Sequence, residues 1–84
     1  YPNPFNAETV IRYELSQSDE VRIDVYNMTG QHVRSLVDRT QSAGRHKVTW
    51  DGRTDLGTPA GSGVYIIQMS SENFTEEKKA IMIK

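Results

Sequence analysis

The chain has 84 residues, a formal net charge of -1 and no cysteine. This length predicts one domain, spanning 1–84, with a core of modest size. The absence of cysteine excludes a disulfide framework and a thiolate zinc site. The slightly negative charge argues against a nucleic-acid-binding domain, which is normally basic, and no apolar run is long enough to predict a membrane span.

The chain begins with the proline-rich segment Tyr1-Pro2-Asn3-Pro4-Phe5-Asn6. Each proline fixes its own φ, removes a backbone donor and pushes the preceding residue towards an extended conformation. We therefore predict an extended lead-in over 1–7, which cannot join a central strand and which Phe5 anchors against the first strand. A start at Tyr1, without an initiator methionine, indicates a piece of a longer protein.

The first half of the remaining chain alternates between apolar and polar residues, as β-strands do. Thr9 to Leu15 and Val21 to Val25 predict two strands, and the polar stretch between them predicts that they pair as a hairpin. A second turn is predicted at 27–30, where Gly30 would take a positive φ. Gln31 to Asp38 predicts a strand with a bulge or an irregular end, because its apolar spacing changes. A helical turn within 32–38 is the alternative.

The second half of the chain continues the strand pattern around one long loop. Arg45 to Trp50 alternates cleanly, whereas Asp51 to Gly63 has no period and is rich in glycine. Val64 to Ser70 is nearly all apolar, as expected for a strand that is buried on both faces or lies in the middle of a sheet. Phe74 to Lys84 is the last predicted strand. Short strands that recur at spacings of about ten residues are typical of an all-β sandwich.

The candidate metal and catalytic residues do not form a recognisable site. An EF-hand loop counted from Asp51 would have Arg53 at its third position and Leu56 at its sixth, so the calcium pattern fails and turns are expected. A different calcium site that uses Asp51 and Asp55 is the weaker alternative. Ser62 lacks the outer glycines of a hydrolase nucleophile elbow.

Neither histidine has a nucleophile or a carboxylate at a recognisable spacing. His46 is expected to be a half-buried structural residue, and His32 is expected at a turn. We therefore predict a protein that is not an enzyme and that has no cofactor.

The aromatic and basic residues allow two kinds of function. Three aromatics share a strand face with apolar neighbours and are expected in the core: Tyr13, Trp50 and Tyr65. Tyr26 lies on a polar face, where it could contribute to a carbohydrate-binding platform. The basic residues of the last strand, Lys78, Lys79 and Lys84, would either protect an edge strand from aggregation or form a docking feature.

Several short motifs occur in a characteristic order along the whole chain. They are Pro2-Asn3-Pro4-Phe5-Asn6, the run from Val21 to Gly30, Ala43-Gly44-Arg45-His46, Trp50-Asp51-Gly52, Gly57, Ser62-Gly63-Val64-Tyr65, Lys78-Lys79 and the terminal Lys84. With this order and spacing, the chain resembles the type A C-terminal sorting domain of the type IX (Por) secretion system. It is also similar throughout to the immunoglobulin-like domain of flagellar hook-capping proteins.

The resemblance implies an immunoglobulin-like β-sandwich of about seven antiparallel strands. It implies a non-catalytic address label on a larger secreted protein, which reaches the cell surface or the medium through the periplasm. An outer-membrane translocon would read the label, a sortase-like peptidase would then cleave it off, and the signal would lie within Gly63 to Lys84. The family's motif residues map to Pro2, Asn3, Pro4, Gly30, Gly44, Gly63, Tyr65, Lys78, Lys79 and Lys84.

Two other functions stay open at this point. The domain could be a structural spacer or assembly module, as related immunoglobulin-like domains are at the end of extracellular enzymes. It could also be an accessory carbohydrate-binding module that uses Tyr26 and loop residues. In any of these roles, its edge strands would allow weak dimerisation.

Overall fold

The structure, a computed structural model, describes residues 8–72 and 74–82, apart from the side chain of Met82. The lead-in over 1–7, with Pro2, Asn3, Pro4 and Phe5, and the terminal Lys84 lie outside the described residues. Within them there are six strands and no helix: β1 (Thr9–Leu15), β2 (Asp19–Asn27), β3 (His32–Gln41), β4 (Gly44–Trp50), β5 (Gly63–Ser70) and β6 (Thr75–Met82). The all-β class is confirmed, with six strands in place of about seven.

The strands form two antiparallel sheets. The small sheet has the order β1-β4, and the large sheet has the order β3-β2-β5-β6. The predicted hairpin of β1 with β2 is wrong, because β1 pairs with β4 and places Thr9 opposite Trp50. The polar connection at 16–18 crosses from one sheet to the other. A connection between two sheets needs the same kind of polar turn as a hairpin. The polar residues at 16–18 therefore did not distinguish a hairpin from a crossing between sheets.

The pairing of β2 with β3 is irregular, as the changed apolar spacing predicted. Its register shifts between Ile23 and Asp24 and again between Val25 and Tyr26. Residues 32–38 are strand throughout, without the helical turn that was the alternative. After the first shift, Asp24 lies opposite Ser35. β5 lies between β2 and β6, which confirms its predicted place inside a sheet.

The core lies between the two sheets. Val21, Ile23 and Val25 of β2 are completely buried, and so is Trp50 at the end of β4. Trp50 packs edge to face against Tyr65, with ring centroids 4.9 Å apart. Burial of one such apolar side chain contributes about 1.5–3 kcal/mol to the stability of the fold. The core prediction is confirmed for Trp50 and Tyr65, whereas Tyr13 is half-buried.

The two ends of the sandwich differ in their connections. One end, which we call the loop end, carries the turn at 28–31, the long connection at 51–62, the start of β1 and the end of β6. The opposite end, the short-connection end, carries the links at 16–18, 42–43 and 71–74. The strand registers place the predicted functional residues relative to these two ends.

Candidate recognition surfaces

Strand β6 is an exposed edge of the large sheet. It pairs with β5 on one side, and no other described strand pairs with its second side. Such an edge leaves a row of backbone donors and acceptors to which another extended chain can pair. Lys78 and Lys79 are exposed on this strand, and Ala80 is buried. The last strand therefore combines a hydrogen-bonding edge with exposed charge.

The charged side chains of β6 alternate between the two faces of the sheet. Glu76 lies opposite Met69 and Lys78 lies opposite Ile67, so both are on the face that carries the core, yet both are exposed. Inward-pointing charges on an edge strand oppose indiscriminate pairing with other strands. Glu77, on the other face, accepts a hydrogen bond from Gln68 Nε2 at 3.1 Å. These charges would restrict which partners can add to this edge.

An apolar patch covers part of the outer face of the large sheet at the loop end. We call it the outer patch; its residues are Tyr26, Val64, Ile66 and Ile81. Tyr26 lies opposite Ile66, and Val64 lies opposite Ile81. Ile81 is 66% exposed, and the others are half-buried. An apolar patch of this kind on a small domain is a candidate contact surface. It adjoins β6, so the edge and the patch form one continuous surface.

Tyr26 does not stand alone in this surface. The ring of His32 meets it edge-on, with centroids 5.6 Å apart and an interplanar angle of 80°. The near-continuous apolar sequence of β5 already indicated that this strand is apolar on both faces. The sequence alone could not show that Tyr26 of β2 lies beside Ile66, because this contact depends on the order of the strands in the sheet.

The long connection at 51–62 is fastened to β2 and β3 by a histidine between two carboxylates. Asp24, which is buried, accepts a hydrogen bond from His32 Nε2 at 3.0 Å. On its other side, His32 Nδ1 lies 3.6 Å from Asp55 Oδ2. Asp55 also accepts a hydrogen bond from Ser35 N at 2.9 Å and donates its own amide to Val33 O at 3.1 Å. We call this cluster of Asp24, His32, Ser35 and Asp55 the loop latch.

Arg34 reinforces the loop latch from the neighbouring position on β3. Its Nη1 atom donates to Asp51 Oδ1 at 3.2 Å and lies 3.3 Å from the carbonyl oxygen of Arg53. The same carbonyl accepts a hydrogen bond from Trp50 Nε1 at 2.9 Å. The start of the connection is therefore fixed both to the core and to the edge strand β3.

The Asp24–His32 contact of the loop latch resembles the acid–base pairs of hydrolases, but the groups around this contact differ from those of a hydrolase. Catalysis by such a pair needs a nucleophile whose proton the histidine can accept. The hydroxyl beside it, that of Ser35, donates to Asp24 Oδ1 at 2.7 Å. The cluster is thus arranged to hold backbone segments together. Sequence spacing gave no indication of it, because its members come from β2, β3 and the connection.

The two aspartates of the weaker calcium alternative are already bound by protein groups. Asp51 Oδ1 accepts from Arg34 and from the amide of Arg53, and Asp55 is part of the loop latch. The expected turn is present, since Gly57 N donates to Thr54 O at 2.9 Å. Across residues 8–72 and 74–82, no three histidine or acidic side chains are grouped to hold a metal ion.

The described part of the chain also lacks any helix long and apolar enough to cross a membrane.

The motif residues named in the sequence analysis do not form one cluster. Gly30, with φ 86°, lies in the turn at 28–31, which confirms its predicted conformation. Gly63 begins β5 at the loop end, whereas Gly44 begins β4 at the short-connection end. Tyr65 is buried, and its hydroxyl donates to Ala60 O at 2.7 Å. These positions shape turns and the core, and their part in recognition stays a prediction.

The half-buried His46 was predicted correctly, and it lies beside Tyr13 at the short-connection end. The two rings are stacked with centroids 5.3 Å apart. His46 Nε2 donates to Ser42 O at 2.8 Å, and the Tyr13 hydroxyl donates to Gln41 Oε1. Burial raises the pKa of Tyr13 above its ordinary value of 10.0, against the opposing effects of Gln41 and Arg39.

Comparison with known proteins places this sandwich in a family. The structure of FlgD from P. aeruginosa matches with a TM-score of 0.68 and 22% identity over 87% of this chain. Dimeric latent PorU from Porphyromonas gingivalis matches with a TM-score of 0.69 and 20% identity over 96% of this chain. The chain spans only 59% of that FlgD and 8% of that PorU.

None of the curated proteins compared with the sequence matches it significantly. At these identities, the two solved structures show a shared fold. The family model of the FlgD Ig-like domain matches residues 5–74, which is most of the chain. The protein therefore belongs to the FlgD Ig-like domain family.

Proposed function

We propose that this immunoglobulin-like domain is a non-catalytic sorting domain that directs a larger secreted protein through the type IX secretion system. The observation that carries the proposal is the exposed edge of β6, next to the outer patch, within the β5–β6 hairpin. A translocon component would pair its backbone with this edge and would place apolar side chains against the patch. The destination would be the cell surface or the medium, reached through the periplasm.

The similarity to PorU of Porphyromonas gingivalis supports this proposal over a generic spacer. A sortase-like peptidase would then separate the domain from its cargo after transport. The charges on β6 would contribute selectivity, because Glu76 and Lys78 point to the core side and require a partner strand with complementary charge.

The test is an export assay with a fluorescent cargo. Residues 1–84 are fused to the C-terminus of the cargo, which carries a periplasmic signal, in a host that has the secretion system. The double variant Lys78→Glu, Lys79→Glu reverses two exposed charges and should retain the fold. It should leave most of the cargo in the periplasm, as should deletion of residues 80–84.

The matched control reverses two exposed charges of the small sheet, Arg45→Glu and Lys47→Glu, and should be exported normally. Folding of each fusion is checked through the fluorescence of the buried Trp50. Normal surface delivery of folded fusions that carry the β6 changes would refute the sorting role.

A structural assembly module is the second candidate, and the FlgD match favours it. FlgD is similar over 59% of its own length, so the domain would be one part of a larger assembly protein. In that role, the β6 variants would be exported like the unmodified fusion, and the same assay therefore separates the two functions.

A further inference from the structure

The outer face of the small sheet carries four exposed charged side chains that face one another across two strands. Arg12 lies directly opposite Lys47, and Glu14 lies directly opposite Arg45. We call these four residues the basic face. It carries three cations and one anion, although the whole chain has a formal net charge of -1. The small sheet therefore carries a net positive charge.

Among the described residues, two cations of the basic face, Arg12 and Lys47, lack the carboxylate partners that Arg22 and Arg34 have on the large sheet. On the large sheet, Arg22 and Arg34 have carboxylates within 3.6 Å and 3.2 Å respectively. For Arg12 and Lys47, no carboxylate within the described ranges comes close enough to form an ion pair. Like charges directly opposite each other in a sheet are destabilising. The Arg12–Lys47 pair therefore costs stability that an anionic ligand would restore.

A groove lies across the basic face, between its two cross-strand pairs. Its volume is about 580 Å³, and it is lined by the four charged residues together with Tyr13 and His46. The groove is open to solvent and extends across the sheet. Because the groove is open, a section of a longer chain can enter it.

The charges of the groove specify the chemistry of its occupant. Arginine and lysine donate hydrogen bonds to carboxylate, phosphate or sulfate groups. Glu14 is an acceptor, and sugar hydroxyls are suitable donors to its carboxylate. An acidic sugar supplies both kinds of group within one ring. An anionic membrane surface would offer mainly acceptors and would place negative charge against Glu14.

We propose that the basic face binds an acidic polysaccharide, with the acidic groups of the polymer on Arg12, Lys47 and Arg45 and its hydroxyls on Glu14. This site is formed by residues of the small sheet, although Arg12 also lines a small cavity together with Glu76 and Lys78 of β6. The proposal is independent of the sorting role, because it concerns different residues and a different ligand.

The charge pattern also predicts that affinity and stability move in opposite directions. Lys47→Glu removes a ligand-binding cation and places a carboxylate opposite Arg12. Opposite charges in this position stabilise a sheet. The variant should therefore be more stable than the unmodified protein and should bind the polymer less well. A residue with a purely structural role would not produce this combination.

The experiment measures binding of fluorescein-labelled polygalacturonate by anisotropy at low ionic strength, with neutral dextran as the ligand control. Lys47→Glu should weaken binding by at least about tenfold, since a charge-assisted contact is lost. Its Tm should rise by roughly 1–6 °C. Arg12→Gln, which introduces no new charge, should also weaken binding.

The matched protein control is Lys79→Glu, which makes the same charge change on the large sheet and should leave the affinity unchanged. An equal loss of affinity in that control would show simple dependence on net charge and would overturn the proposal. So would binding of neutral dextran, tighter binding to anionic phospholipid vesicles than to the polymer, or a lower Tm for Lys47→Glu.

Discussion

The loop end and the short-connection end of the sandwich differ in both length of connection and exposure of apolar side chains. The loop end has the connection at 51–62, whereas the links at the other end are only a few residues long. Four large apolar side chains of the described residues are exposed, and all four belong to the loop end: Val10, Met28, Leu56 and Ile81. Apolar surface that could contact a partner is therefore concentrated where the chain is least regular.

The difference shows that a long connection rich in glycine can be fixed in place. The loop latch, the Arg34 contacts and the hydroxyl of Tyr65 hold the connection at several points along its length. Backbone polar groups of a loop need such partners when they lie against the protein. Rigidity at the loop end would keep its exposed apolar side chains in a fixed arrangement. Three pairs of substitutions and one pH series test this difference.

The largest effect is expected for Trp50→Ala. It removes a fully buried ring and the hydrogen bond to Arg53 O, and should lower the free energy of unfolding by about 3–5 kcal/mol. Leu15→Ala is the matched change near the short-connection end. In urea denaturation both variants should lose stability, but only Trp50→Ala should speed amide hydrogen exchange at Asp55. If exchange at Asp55 became equally faster in both variants, the connection at 51–62 would not be held by its contact with Trp50.

Asp24→Ala tests the loop latch directly. The change leaves His32 and the Ser35 hydroxyl without their buried acceptor, which should cost about 1–3 kcal/mol of folding free energy. Asp38→Ala, an exposed acidic residue opposite Arg22, serves as the control and should cost less than about 0.5 kcal/mol. The same stability for both variants, measured by urea denaturation, would contradict a structural role for the latch.

Tyr65→Phe removes a single hydroxyl and keeps the ring in the core. The loss of its hydrogen bond to Ala60 O should cost about 0.5–1.5 kcal/mol. Tyr13→Phe, at the opposite end, removes the bond to Gln41 from a half-buried position and should cost less. If thermal denaturation ranked the two variants in the reverse order, the loop end would not be the more firmly held one.

The smallest effect concerns pH. The pKa of Tyr13 is raised in the folded protein, so the unfolded chain loses this proton first as the pH rises. The contribution of Tyr13 to the free energy of unfolding is fully present below pH 10.0, the ordinary pKa of tyrosine. It is lost as the pH rises through the pKa of Tyr13 in the folded protein. Stability measured by denaturation from pH 8 to pH 11 should therefore fall less in Tyr13→Phe than in the unmodified protein.

The sequence predicted the strands and the core well because these depend on local alternation. The segment from Thr9 to Leu15 matches β1 in both bounds, and Trp50 is buried as its face predicted. The irregular pairing of β3 was likewise visible in its apolar spacing. Each of these features is encoded within a few neighbouring residues.

Strand pairing and the loop latch could not be obtained in the same way. β1 pairs with β4, although two other strands lie between them in the sequence. A period of two shows which residues share a face of the sheet, but it does not show which strand is the partner. The latch joins Asp24, His32 and Asp55, which become neighbours only after the strands are paired and the connection folds back. The sequence therefore predicted which residues are buried more reliably than which residues meet.

The register of β5 with β6 has a consequence for how the domain responds to mechanical tension. Gly63 pairs with Met82 at the loop end, and β1 starts at the same end in the other sheet. A force that separates residues 8 and 82 would therefore load the pairs at the loop end first, Gly63–Met82 in one sheet and Thr9–Trp50 in the other, and then each following pair in turn. Bonds that break one after another resist less than bonds that share the load, so β6 would unzip under weak tension.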